Sequence, residues 1–432
     1  MPERDGTTRR TVLKSLGVAA GVGAVGSGHA IARTLTGAAR DLDAPTTALD
    51  DVTVADTWPQ YQGNAAKTGV ASSGPTANVN VAWQYDEDDR YSRVVVDDAV
   101  YAATTSGLVS LTTEGDVRWT VDASGEEEFR YSTPAVVDDV VYVGADAADT
   151  ECGDDTDSAL VTFDAETGTE LWRTSLDGRS LLAPTVTDGT VYVVSAATMD
   201  NDGDLYAVDA ETGTVRWRAT TGSTGIGSGA APPVAVADGT VFTANENGLA
   251  ALDAESGEKL WQADTNYLKG NYENAPTVVD GTVFIGTGGA GASAPFYAIN
   301  ADDGSIEWTY QPTASNGNEL TGSWTSTTVA SGNLVAGFQI NDFGTSGYYA
   351  LDPEDGSVVW FAENGVIVSP AAAGDVVYTG RQALNAADGS VAWDFGDDAP
   401  FGTVAPAVVD DTVYVGGVTL TTLTGDEDDS DD

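Results

Sequence analysis

The chain has 432 residues, 67 of them acidic against 18 basic, and a formal net charge of −49 at pH 7. That balance excludes the basic surface with which nucleic-acid binders neutralise phosphates. A lone cysteine, Cys152, excludes a disulfide within the chain, and a lone histidine, His29, lies near the N-terminus, away from any body that could build Ser-His-Asp or histidine–zinc chemistry.

The first element is a targeting segment. Thr8-Arg9-Arg10-Thr11-Val12-Leu13-Lys14 resembles the twin-arginine export consensus, and a weakly apolar Gly/Ala-rich run follows it to Ala30-Ile31-Ala32. Residues 1–32 are therefore expected to be an export signal, residues 33–56 a flexible linker, and the processed protein extracellular or at the cell surface, not integral to the membrane. Without residues 1–32 the chain keeps 65 acidic and 14 basic residues, and its only lysines are then Lys67, Lys259 and Lys269. This composition looks like that of a secreted protein of an extremely halophilic archaeon. In molar salt the Debye length falls to about 3 Å, which screens the self-repulsion of so acidic a surface.

From residue 57 to residue 424 two phrases alternate. The first, Pro-x-Val-x-Asp-Gly-x-Val-aromatic, is cleanest at Pro184 to Tyr192 and Pro276 to Phe284. Variants run Pro134 to Tyr142, Pro233 to Phe242, Pro370 to Tyr378 and Pro406 to Tyr414, with weaker copies at Val94 to Tyr101 and Thr328 to Val335. Each reads as two short strands joined by a tight turn. The second phrase, Ala-x-Asp-x-x-Thr/Ser-Gly-x-x-x-Trp, is cleanest at Ala207 to Trp217 and Ala251 to Trp261, and supplies a third strand, a turn and a fourth strand. Its glycine–tryptophan pairs are Gly115/Trp119, Gly168/Trp172, Gly213/Trp217, Gly257/Trp261, Gly304/Trp308, Gly356/Trp360 and Gly389/Trp393. Most are spaced as repeated four-stranded units.

A four-stranded sheet cannot cover both of its faces, so neighbouring units must stack. The sequence predicts an all-β, eight-bladed propeller of antiparallel blades, with Trp83, Trp119, Trp172, Trp217, Trp261, Trp308, Trp360 and Trp393 docking blade to blade. Burying each indole removes about 150–250 Å² from water, an upper value of about 4–6 kcal/mol. The last hairpin, Pro406 to Tyr414, is followed by Val418 to Leu423 and no tryptophan. Val79 to Tyr85 is therefore expected to complete the last blade and close the ring, with residues 425–432 a disordered acidic tail.

On these two phrases, residues 57–424 resemble the pyrroloquinoline-quinone-type repeat propellers, which include the quinoprotein dehydrogenases and the outer-membrane assembly lipoprotein. Trp58-Pro59-Gln60-Tyr61-Gln62-Gly63-Asn64, ending in Lys67-Thr68-Gly69, looks like the lead-in common in those proteins. The resemblance implies the propeller fold. It also implies two functional alternatives: a non-catalytic binding or scaffolding module, or a dehydrogenase of small alcohols or sugars that uses pyrroloquinoline quinone and calcium. The single cysteine rules out the adjacent-cysteine disulfide of such dehydrogenases. The expectation is a scaffold without cofactor, a monomer that meets an unidentified protein or small ligand at the cell envelope.

Two clusters are candidate sites. Tyr267, Lys269, Asn271, Tyr272 and Glu273 precede an inner strand, a position shared by Tyr131 and Trp324 in other blades. Together they would line one mouth of the central channel with apolar faces and convergent polar groups, although a hydrated loop with a local Lys269–Glu273 ion pair is the simpler account of the same residues. Asp200, Asp202 and Asp204 alternate as calcium ligands do, but an acidic hairpin loop fits the same residues.

Overall fold

In the computed structural model the chain is described over residues 11–14, 52–54, 56–76, 79–86, 91–96, 99–104, 107–123, 129–147, 158–178, 183–195, 203–222, 233–245, 248–265, 274–340, 346–394, 404–417 and 419–425. These residues form eight antiparallel sheets, the blades of a propeller. Blade 1 takes its strands from Tyr91–Val96, Val100–Thr104, Gly107–Leu111 and Val117–Asp122, from the ring axis outward. Blades 2 to 7 follow in chain order, ending at Val391–Asp394.

Blade 8 is assembled from both ends of the ring. Ala407–Val409, Thr412–Val415 and Leu420–Gly425 are completed by Val79–Asp86, with Trp83 opposite Thr422 and Tyr85 opposite Leu420. The closing strand is thus the one expected from the missing tryptophan. Thr11–Lys14, assigned from sequence to the export segment, runs antiparallel to Trp83–Asp86 as a further outer strand. Within the segment expected to be a linker, the Thr53 carbonyl accepts hydrogen bonds from Asn64 Nδ2 at 3.0 Å and Thr68 Oγ1 at 2.5 Å.

The first phrase folds into tight hairpins. Asp188 and Gly189 have φ of 49° and 66°, and Asp238 and Gly239 have 48° and 71°. Two successive left-handed residues make the turn whose twist matches paired strands, which Asp-Gly adopts at low cost.

The second phrase is explained by its contacts. Asp209 Oδ1 accepts from the Thr212 N–H and hydroxyl, both at 2.8 Å, closing the turn between the third and fourth strands. In register across three strands stand Tyr192, Ala207 and Trp217, and likewise Phe242, Ala251 and Trp261. The small middle residue lets the two rings meet above it, with centroids 5.9 Å apart in both blades. These indoles also donate into the next blade: Trp172 to the Ala210 carbonyl at 3.2 Å, Trp217 to Ala254 at 3.0 Å, Trp261 to Ala301 at 2.9 Å. Trp83 donates to the Thr113 carbonyl of blade 1 at 2.8 Å and so completes the circle.

Blade 6 departs from the pattern. Its innermost strand, Thr321–Ala330, has ten residues, where those of blades 3, 4 and 5 have three. Gly288–Ser293, from blade 5, pairs along it. Gly286 and Gly288 permit this approach, since a β-carbon on Gly286 would stand 2.2 Å from Trp324 Cβ.

Candidate functional site: the stoppered central channel

An innermost propeller strand has one edge facing the axis, and its amides need partners. Here the lead-in supplies them. Val136 donates to the Pro59 carbonyl at 2.7 Å, Val236 to Ala65 and Val278 to Ala66 at 2.9 Å, and Ala372 to Gly69 at 2.8 Å. Gln60 uses its side chain for blade 3, with Oε1 accepting from Val186 N–H at 3.1 Å and Nε2 donating to the Val186 carbonyl at 3.4 Å. Val70–Ala71 then lies parallel to Ala372–Ala373, and Tyr378 donates to the Pro75 carbonyl at 3.0 Å. The amides that donate to the lead-in sit just before the hairpin turns of their blades, so the lead-in fills the channel at that end.

Tyr61 is buried at the centre of the stopper. Its ring packs with Ala183, Ala275 and Ala405, each at the entry of a different innermost strand. Its hydroxyl lies 2.9 Å from Ser326 Oγ and 3.0 Å from Ser369 Oγ, in blades 6 and 7. Those hydroxyls also accept from backbone: Ser326 Oγ from Ala275 N–H at 2.8 Å, and Ser369 Oγ from Ser326 N–H at 3.3 Å. Lys67 is 0% exposed, and burial alone pushes its ammonium down to about 7, because a low-dielectric surrounding disfavours the charged form.

Of the residues expected at the mouth, Tyr131 and Trp324 are among the described residues, and they lie in different blades, 2 and 6. Trp324 is a correction: it is 0% exposed, donates to the Ala294 carbonyl at 2.7 Å and packs against Phe296, Phe338 and Tyr349 between blades 5 and 6. The lengthened innermost strand of blade 6 carries it inside the sheet instead of leaving it in the preceding loop. Tyr131 is half-buried on Phe163, with ring centroids 6.1 Å apart, and burial raises its hydroxyl above the ordinary tyrosine value. Tyr267, Lys269, Asn271, Tyr272 and Glu273 lie outside the described residues, as do Asp200, Asp202 and the acidic tail after residue 425.

Asp204, the third aspartate of the calcium-like run, is described and engaged. Its side chain is 4% exposed and is bound by Arg218 Nη2 at 2.6 Å and Thr220 Oγ1 at 3.1 Å. Arg218 also stands 5.4 Å over the Tyr206 ring. Among the described residues no group of three or more His, Cys, Asp or Glu side chains could hold a metal ion. Around the stopper the described donors are hydroxyls, amides and one lysine, which is not the oxygen-rich carboxylate set calcium selects.

Sequence reasoning noticed the lead-in as a mark of resemblance and missed its place. Its polar run, Gln60-Tyr61-Gln62-Gly63-Asn64, carries no strand or helix period, and most of its contacts are made by backbone carbonyls, which leave no side-chain signature. One signal was available, a lysine in a chain that has four.

The comparisons agree with this architecture. A solved structure of BamB from Moraxella catarrhalis superposes with a TM-score of 0.58 at 17% identity, covering 81% of this chain and 99% of that one. Quinohemoprotein alcohol dehydrogenase from Comamonas testosteroni superposes at 0.57 and 16% identity, covering 86% and 81%. Quinohemoprotein alcohol dehydrogenase ADHIIG from Pseudomonas putida HK5 does so at 0.61 and 15%, covering 85% and 80%. At these identities the likeness is one of fold. No curated protein matches the chain. The family described as outer membrane protein assembly factor BamB matches residues 112–225, 201–364 and 343–431, and the chain belongs to that family.

Proposed function

We propose that the chain is an exported propeller that acts as a non-catalytic binding or scaffolding module at or outside the cell surface of a halophile. The observation that carries this reading is the stopper. One end of the channel is filled by the chain's own residues, hydrogen-bonded into at least five innermost strands. A ring whose axis holds its own lead-in is suited to rigidity, and a partner would meet the loops at the opposite mouth, where Lys269, Tyr272 and Glu273 fall in sequence. Membership of an assembly-factor family supports a protein as that partner. The twin-arginine motif supports export, and the acidic composition supports a high-salt medium.

Capture of cell-envelope proteins by cross-linking from intact cells, comparing the unaltered chain with Lys269→Ala and Tyr272→Ala, tests the mouth. Loss of one defined partner in the variants supports the reading, and an unchanged capture profile overturns the mouth assignment. Replacing Arg9 and Arg10 together by lysine should retain the protein inside the cell.

The second reading, a dehydrogenase dependent on pyrroloquinoline quinone and calcium, is favoured by the fold likeness to quinohemoprotein alcohol dehydrogenases. Purified protein incubated with the quinone and calcium in high salt separates the two. Retained quinone absorbance with alcohol-dependent dye reduction would establish the enzyme, whereas neither is expected from a scaffold.

A further inference from the structure

Lys67 is held in an unusual state. Its side chain is fully buried and its Nζ has no hydrogen-bond partner among the described residues. Gln62 Oε1 and Thr327 Oγ1 are buried and without partners in the same sense. These three groups belong to one knot of chain. Thr277 Oγ1 lies 3.0 Å from the Lys67 carbonyl and 3.2 Å from the Thr327 carbonyl, tying stopper to innermost strand at the seam of blades 5 and 6. Gln62 reaches the same turn, since its Oε1 would stand 2.2 Å from a β-carbon on Gly69, with Thr328 Oγ1 at 3.0 Å from that point. Gln62 and Lys67 both have left-handed backbones, with φ of 59° and 61°. Non-glycine residues persist there only where their surroundings impose it.

An enclosed ammonium without a counter-charge costs several kcal/mol, and burial is the sole influence on Lys67, with no charged side chain contributing. A water molecule could accept its hydrogen bond but would leave the charge uncompensated. We propose that this knot encloses a single small monovalent anion of halide size, held by Lys67 Nζ, with the Thr327 hydroxyl as a further donor. The occupant is small because Lys67 is wholly enclosed, and monovalent because it answers one positive charge. This site stands independently of any partner at the mouth.

Charge linkage makes the site testable. Lys67 carries its proton below about pH 7 and is neutral well above it. Gln62, Asn64, Thr68, Thr277, Thr327 and Thr328, the groups of the stopper and its seat, do not titrate in that range. The anion should therefore bind at pH 6 and leave by pH 9. Melting of the full chain is measured in sodium chloride and in sodium gluconate at equal molar ionic strength, so that surface screening is unchanged. Chloride should raise the midpoint by about 2–4 °C at pH 6 and leave it unchanged at pH 9. Crystals grown in sodium bromide at pH 6 should show one anomalous peak beside Lys67 Nζ. Equal melting in the two salts at pH 6, or bromide-grown crystals without that peak, overturns the proposal. Lys67→Met should abolish the chloride dependence. If that variant fails to fold, Thr327→Val keeps the lysine and should weaken the chloride effect at pH 6, while the bromide experiment needs no variant.

Discussion

Gly213 lies against the indole of Trp172 in the preceding blade, not against Trp217, its neighbour in the repeated phrase. A β-carbon on Gly213 would stand 2.7 Å from Trp172 Cε3, and the same distance separates one on Gly257 from Trp217 Cδ2. The phrase that looks like one motif is thus two halves of two different contacts. The glycine receives the previous indole, and the tryptophan four residues later reaches forward to the next glycine.

This arrangement predicts unequal costs for one substitution. Gly213→Ala meets both a left-handed backbone, φ 70°, and the indole, whereas Gly189→Ala meets only the backbone, φ 66°, with nothing within 4 Å of the added carbon. The backbone contributes about 1 kcal/mol and overpacking about 1–3 more. Denaturant unfolding at fixed salt should therefore place Gly213→Ala about 2–4 kcal/mol below the unaltered protein and Gly189→Ala about 1 kcal/mol below it. Equal losses would mean that the indole contact is not tight.

Arg218 is expected to matter through one of its two partners. It bonds Asp177 and Asp204, each at 2.6 Å, but the Asp177 side chain is 76% exposed and Asp204 is buried. Arg218→Ala leaves the Asp204 carboxylate with Thr220 and should cost about 3–5 kcal/mol. Adding Asp204→Asn removes the stranded charge and should recover most of that loss. Asp177→Ala, a surface pair, should cost less than about 1 kcal/mol. Urea midpoints of the three variants check the order.

Tyr61 should control the stopper. Tyr61→Phe removes the bridge to Ser326 and Ser369, which retain their backbone donors, so a loss of about 1–2 kcal/mol is expected. Tyr61→Ala also deletes the ring and should cost about 3–5 kcal/mol. Hydrogen exchange localises the effect: the amides of Val136, Val236, Val278 and Ala372, which donate to the lead-in, should exchange faster in Tyr61→Ala. Outer-strand amides such as that of Trp217 should be unaffected.

The blades were legible because their signals are local. Asp-Gly makes a turn wherever it stands, and an alanine between two aromatics in register marks a crowded strand. Even closure could be read, from a tryptophan missing at the end and Trp83 spare at the beginning. Trp324 was misplaced because blade 6 lengthens its innermost strand, a change without a mark at Trp324 itself. Its cause lies in Gly286 and Gly288, about forty residues earlier, whose lack of side chains admits an extra strand. The stopper was hidden for a related reason. Its partners are spread over residues 136 to 378, and a carbonyl of Pro59 or Ala65 looks the same in sequence whether it faces water or an innermost strand.

Buried tyrosines predict how the protein fails at high pH. Burial pushes Tyr349 up to about 12, and it raises Tyr310 further, with the charge of Tyr349 acting in the same direction. The two rings lie 5.9 Å apart in the aromatic cluster between blades 5 and 6. A tyrosine whose folded value exceeds its unfolded value of about 10 holds its proton longer in the native state. Its stabilisation is fully present below pH 10 and is lost as pH rises through 12. For Tyr349 this amounts to about 2–3 kcal/mol. Phenolate absorbance should therefore rise together with unfolding above pH 10, not before it. Tyr349→Phe cannot ionise and should move the alkaline midpoint upward, even if it lowers stability at neutral pH. A midpoint that does not move would show that ionisation at this seam does not drive the transition.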